Sequence, residues 1–344
     1  MSNYKVCVLT KEKAFEFAEK EIRKPQGKQV LVKVEYCAIC TLEQRVYQGI
    51  MKMYPFAGGH EVSGIVEAVG EGVKSVKAGD KVAVRMLTSC GECYYCRNGH
   101  ENQCVISFKA SAHEGLMGPG GFSEYMMVDS KSVYPFPEDT NLQYAALSEP
   151  LACCVHSVNN AQIELGNDVV VIGAGIMGAM HIQLAKLRGA RVIVCEVDEK
   201  RLQIARELGA DITINSRETD AIQRVKDLTD GRGADVVFCT AAISKLAADS
   251  IAMTGKNGRV VMYSSFHPDN PIDLSANRVH STEMVITGSV NPKTSDFLAA
   301  TRLLSFHLID VSKLISDVIP LEKIGDAFEK AIDPSTYRIL LKCH

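Results

Sequence analysis

The stretch VVVIGAGIMGAM, residues 169–180, constrains this chain more than any other part of it. An apolar run that reads as a strand breaks into Gly173, Gly175 and Gly178, with Ile176 and Met177 between the last two, and opens a helical pattern. In such a Gly-x-Gly-x-x-Gly turn the first glycine permits the bend. The second lets the backbone approach a pyrophosphate, and the third lets the helix pack close to the strand. The helix N-terminus then presents N–H groups to the phosphates. Three glycines alone are a weak signal, and the context strengthens it. The next apolar run, VIVCEV, ends at Glu196, 18 residues after Gly178, where an acid is placed to bind the ribose hydroxyls. A carboxylate there repels a 2′-phosphate, so NAD is expected over NADP. Beyond it, ADVVFCT leads into SKLAADSIAMTG and then RVVMYSS. Strands alternating with helices of about a dozen residues predict parallel βαβ units, hence an α/β, doubly wound Rossmann sheet.

The first 150 residues have a different rhythm. VLVKVEYC, EVSGIVEAVG, DKVAVRM and SEYMMVDS are short β-like runs punctuated by glycine, which predicts a compact, mostly β domain. Within it, CGECYYCRNGHENQC sets Cys90, Cys93, Cys96 and Cys104 in a Cys-x2-Cys-x2-Cys-x7-Cys array. Four thiolates so spaced can converge on one tetrahedral ion with no open position, which describes a structural zinc. An iron–sulfur cluster fits less well, because its bacterial pattern closes with three residues and then Cys-Pro. Four unligated thiols in a turn-rich lobe are the bland alternative. His100 lies inside the loop, but four sulfurs already fill the shell.

Composition narrows the classes further. Twelve cysteines in 344 residues are too few for a secreted disulfide scaffold, and MSNYKVCVLTKEKAFEF lacks a signal-peptide core. A reducing, cytoplasmic setting is therefore expected, with the thiols packed, bound to metal or catalytic and not paired in disulfides. The longest uncharged run carries three glycines, a histidine and a glutamine, so no membrane span is expected. A net charge of −3 lacks the basic footprint of a nucleic-acid binder.

Upstream, AICTLEQR carries Cys40, GGHEVSG carries His60 and Glu61, and LSEPLACCVH carries Glu149. Each alone is more often core packing than a ligand. Taken with the cysteine lobe, GGFSEY, VVVIGAGIMG and GRGADVVF in this order, the chain resembles the zinc-dependent medium-chain alcohol dehydrogenases over essentially its whole length. It is closest in pattern to the polyol (sorbitol) and threonine dehydrogenase branch. The resemblance implies a β-rich, GroES-like catalytic domain over residues 1–152 and 291–344 and a Rossmann domain over 153–290. It implies a catalytic zinc on Cys40, His60 and Glu61, with Glu149 nearby as ligand or tuner, and exchange of the two glutamates is a hypothesis. Glu43 would orient His60 by accepting its free N–H. Arg201 would lie along the adenine or face solvent, and Thr240, Ser264 and Ser289 would lie near the nicotinamide. Relatives commonly follow the ligand cysteine with Gly, Ser or Thr, Asp and, two residues later, His. Here Thr41, Leu42, Glu43 and Arg45 stand instead. Leu42 cannot relay a proton, leaving Thr41, Glu149 or His156 with water, and Arg45 reads as a solvated charge.

The implied chemistry is reversible oxidation of a secondary alcohol, on a polyol, sugar derivative or amino alcohol, to a ketone. Zinc acts as Lewis acid and hydride passes to the nicotinamide. A relative with an altered relay, acting mainly as a ketone reductase or rearranging its substrate, is the alternative. Homodimers or homotetramers are implied, with MVITGSV as the edge strand for pairing.

Overall fold

The structure is a computed structural model that describes residues 3–106 and 113–344. The chain divides into two compact units, Met1–Ala152 with Pro292–His344, and Cys153–Asn291. It opens with a hairpin, β1 (Asn3–Lys11) and β2 (Ala14–Glu21), then β3 (Gln29–Ala38) and a short helix, α1 (Thr41–Tyr47). Strands β4 (Glu61–Val69) and β5 (Lys81–Arg85) precede α2 (Tyr94–Arg97), followed by β6 (Tyr125–Asp129), β7 (Val133–Pro135) and α3 (Leu142–Ala145). Helix α4 (Ser148–Ala161) crosses the boundary between the units. The second unit runs β8 (Asp168–Ile172), α5 (Ile176–Leu187), β9 (Arg191–Glu196), α6 (Glu199–Glu207), β10 (Ile212–Asn215), α7 (Ala221–Leu228), β11 (Ala234–Cys239), α8 (Ser244–Met253), β12 (Thr254–Met262), α9 (Ala276–Thr282) and β13 (Val285–Gly288). Helix α10 (Thr294–Ser305), β14 (Ile315–Pro320), α11 (Ile324–Ala331) and β15 (Arg338–Lys342) return to the first unit.

In the first unit seven strands form one sheet, ordered β14-β15-β3-β4-β5-β7 with β6 also on β3. Its apolar face gathers Val32, Val34, Cys37, Val62, Val84, Ile339 and Leu341, with Phe122 and Phe328, into one core. Because strand side chains alternate between faces, burying Val62 turns its neighbour Glu61 the other way. The register places Glu61 beside Ala38 of β3 and Arg85 of β5. The second unit is a six-stranded parallel sheet ordered β10-β9-β8-β11-β12-β13. Every residue of β8 is buried, the mark of a parallel strand covered on both faces. The chain order reverses between β8 and β11, the switch point at which ligands bind beyond the carboxyl ends of such sheets. The helix expected over SKLAADSIAMTG ends at Met253, and Thr254 and Gly255 begin β12 instead.

Candidate active site

Cys40 is the N-cap of α1, with φ −80° and ψ 161°, so its side chain sits where the helix begins. Three residues on, Glu43 points into the core and is 2% exposed. Its Oε1 accepts the Gly59 N–H at 3.0 Å and lies 2.7 Å from His60 Nδ1. A carboxylate only accepts, so Nδ1 carries a proton, and Nε2 is the nitrogen that can offer a lone pair once the ring is neutral. Burial disfavours a charged His60, yet Glu43 and Cys40, both in hydrogen-bond contact with it, raise its pKa well above the usual value. Burial likewise opposes ionisation of Glu43, but His60 and the Gly59 N–H hold its carboxyl below the ordinary range. The pocket is therefore built to hold positive charge. Ligand atoms of Cys40, Glu43 and His60 lie within 4.8 Å of one another, as do those of His60, Glu61 and Glu149.

Glu61 is fully buried and takes Arg338 on both oxygens, Nε at 2.8 Å on Oε2 and Nη2 on Oε1. Burial works against the charge of Arg338, but Glu61, Cys40 and Glu149 more than offset it and raise its pKa. Arg338 was not foreseen. In YRILLK it reads as one polar residue in a strand, and nothing local marks its partner. Leu42 packs against the apolar core of its unit, so no hydroxyl stands there. Arg45, expected as a solvated charge, is half-buried. Burial weakens its charge and Cys40 supports it.

In the cysteine lobe, Cys90 Sγ lies 3.9 Å from Cys96 Sγ and 3.6 Å from Cys104 Sγ. Tetrahedral zinc with Zn–S of ~2.3 Å needs sulfurs about 3.8 Å apart, so these separations fit. The backbone is turned inward as well. Glu92 and Cys93 N–H point at Cys90 Sγ (3.4 and 3.3 Å), Cys96 N–H at Cys93 Sγ (3.5 Å) and Cys90 N–H at Cys104 Sγ (3.4 Å). The Cys96 N–H draws the Cys93 thiol down to about 6, which favours the thiolate a metal requires.

The glycine turn joins β8 to α5. Gly173 has φ +94°, and a Cβ on Gly178 would lie 1.9 Å from Gly173 O, so both positions exclude a side chain. A Cβ on Gly175, by contrast, would meet only Arg201 Nη1, at 3.5 Å. Glu196 ends β9, and its Oε2 accepts the Ala174 N–H at 2.8 Å, which fixes the acid against the turn. Thr240 follows β11 and donates its hydroxyl to Ile172 O and Gly173 O at 2.8 and 3.2 Å, anchoring the turn. Ser264 and Ser289 follow β12 and β13. All of these residues except Arg201, which reaches in from α6, lie at the carboxyl edge of the sheet.

Comparison with known proteins bears on these geometries. Residues 26–138 match the alcohol dehydrogenase GroES-like domain family and residues 177–305 the zinc-binding dehydrogenase family. The 2-dehydro-3-deoxy-L-galactonate 5-dehydrogenase of Pseudoalteromonas atlantica is 32% identical, covering 96% of each chain. The chain belongs to the zinc-type medium-chain alcohol dehydrogenases. A sorbitol dehydrogenase of Halalkalibacterium halodurans is also 32% identical, over 98% of each chain. A zinc-binding dehydrogenase of Sinorhizobium meliloti, solved bound to NADP, superposes with a TM-score of 0.91 at 26% identity, covering 99% of this chain and 100% of that one. As a member of this family the protein is an alcohol oxidoreductase. Among the described residues, no helix is long and apolar enough to cross a membrane.

Proposed function

We propose that this dehydrogenase oxidises a secondary alcohol of a polyol or sugar derivative to the ketone, with NAD as hydride acceptor. The observation that carries the reading is the His60-centred cluster, two overlapping groups of donors that share one imidazole whose Nδ1 is held by Glu43. Glu43 is engaged by His60 and Gly59, and Glu61 by Arg338. The ligands we assign are therefore Cys40 Sγ, His60 Nε2 and a carboxylate oxygen of Glu149. Zinc held there supplies Lewis acidity that eases loss of the hydroxyl proton. Glu61 is already neutralised by Arg338 on both oxygens, so we assign Glu149 as the resting ligand. Thr41, exposed beside Cys40, is the hydroxyl we assign to pass the proton to solvent, since Leu42 cannot. Cys90, Cys93, Cys96 and Cys104 would hold a second, structural zinc.

For the nucleotide, Gly173, Gly175 and Gly178, with the intervening Ile176 and Met177, receive the pyrophosphate, and Glu196 takes the ribose hydroxyls. Its carboxylate favours NAD. Arg201 near the turn and an NADP-bound structural relative make a direct comparison of the two nucleotides necessary. Two copies would pair through the edge of β13, as a dimer or within a tetramer.

The test is metal analysis combined with NADH and NADPH formation over polyols, sugar acids, sugar phosphates and threonine. We expect two zincs per chain and at least tenfold preference for NAD. Cys40→Ser should lose turnover and one zinc while still binding nucleotide. Wild-type turnover by that variant would overturn the assignment.

A further inference from the structure

Behind Glu43 the core is not filled. Cys7, Glu43, Gly58 and the rings of Phe15, Phe56 and Phe122 line a small void that leaves about 10 Å³ for the centre of a water-sized sphere. Roughly 10–15 Å³ by that measure is enough for one water, provided polar partners face it.

Two groups on its wall lack partners. Glu43 Oε2 is buried with no hydrogen bond among the described residues, while Oε1 of the same carboxylate takes both His60 and Gly59. The buried Gly58 N–H also has no acceptor among the described residues. Glycine keeps the space open, because a Cβ at position 58 would press on Glu43 Cγ and Phe122 at 3.0 Å and on Phe56 at 3.2 Å. A carboxylate oxygen sealed among phenylalanines without a donor bears the full cost of desolvation, and no side chain on the wall supplies a strong donor. Burial pushes the Cys7 thiol up to about 12, so it remains a neutral, weakly polar group.

We propose that this void is a binding site for one water molecule, which donates to Glu43 Oε2, accepts from the Gly58 N–H, and so fixes the carboxylate that orients His60. Glu43 is then a positioning residue held at both oxygens, one by protein and one by water. The water follows from the void and its walls, whereas its effect on metal rests on the proposed zinc site.

The experiment combines a high-resolution crystal structure with zinc release to a chelator. The wild type should show one ordered oxygen within hydrogen-bond distance of Glu43 Oε2. Cys7→Val adds a branch of methyl size, comparable with the ~30 Å³ share of one water, and should expel it. Cys7→Ala leaves the void open and should keep it. Disturbing the carboxylate that orients a ligating histidine typically weakens metal binding 10–100-fold. Cys7→Val should therefore release the Cys40–His60 zinc at least tenfold faster, while Cys7→Ala releases it as the wild type does and the four-cysteine zinc is unaffected in both. An empty void in the wild type, or equal release from Cys7→Val, overturns the proposal. A wild type holding the ordered water but no zinc at His60 overturns the metal assignment and leaves the water site standing.

Discussion

Arg338 and Glu61 face each other at 3% and 0% exposure, and neither charge is tolerable there alone. Arg338→Met should strand Glu61 and destabilise the unit by about 3–5 kcal/mol, read as a lower urea midpoint. Adding Glu61→Gln should restore most of that loss. A single Arg338→Met variant as stable as the wild type would show that the pair contributes nothing. This arginine was hidden from sequence because its partner lies 277 positions away, and no periodicity links residues so far apart. The pairing of Glu43 with His60 spans 17 positions and belongs to a motif, so it could be anticipated. The engagement of Glu61 could not, because GGHEVSG presents the acid beside the histidine with no sign of what neutralises it.

The strand–turn–helix element around Gly173 was legible because its information is local. A β run, three glycines and a helical pattern lie within twelve residues, and each glycine has a separate steric reason. That separation is testable. Gly178→Ala places a methyl group on Gly173 O and should unfold the second unit or lower its melting temperature by several degrees. Gly175→Ala meets only the end of a flexible arginine, so the fold should survive while nucleotide affinity falls at least tenfold, measured by calorimetry. Equal losses in the two variants would refute the assigned roles. The hairpin β1–β2, the three-residue β7 and β14 were not anticipated. The hairpin pairs locally, Lys11 opposite Ala14, but its turn residues Glu12 and Lys13 are not the Gly, Asn or Asp that mark such turns, while β7 pairs with the distant β5 and β14 with β15 beyond α11. The start of β12 reads as helix in the sequence because Thr254 and Gly255 follow a helical run without an intervening break.

At the scale of the whole molecule, β13 ends the parallel sheet and, among the described residues, pairs only with β12. Val285 on it is 37% exposed, and Val290 just beyond is 51% exposed. A strand edge so placed invites a second copy unless charge blocks it. Val285→Lys should convert the proposed assembly to smaller species in sedimentation, with nucleotide binding retained. A wild type that is monomeric at micromolar concentration would remove the pairing.

The two-unit plan also sets a schedule. Glu61 leaves the ribosome 277 residues before Arg338, and at ~5–20 residues per second the interval is roughly 14–55 seconds. The whole second unit is synthesised in that interval and can fold on its own contacts. The acid meanwhile lacks the guanidinium of Arg338, and the sheet lacks β15, which pairs with β3. Burial of Glu61 must then await the returning strand, so the ionic pair acts as a late latch that closes the first unit after the second is already made.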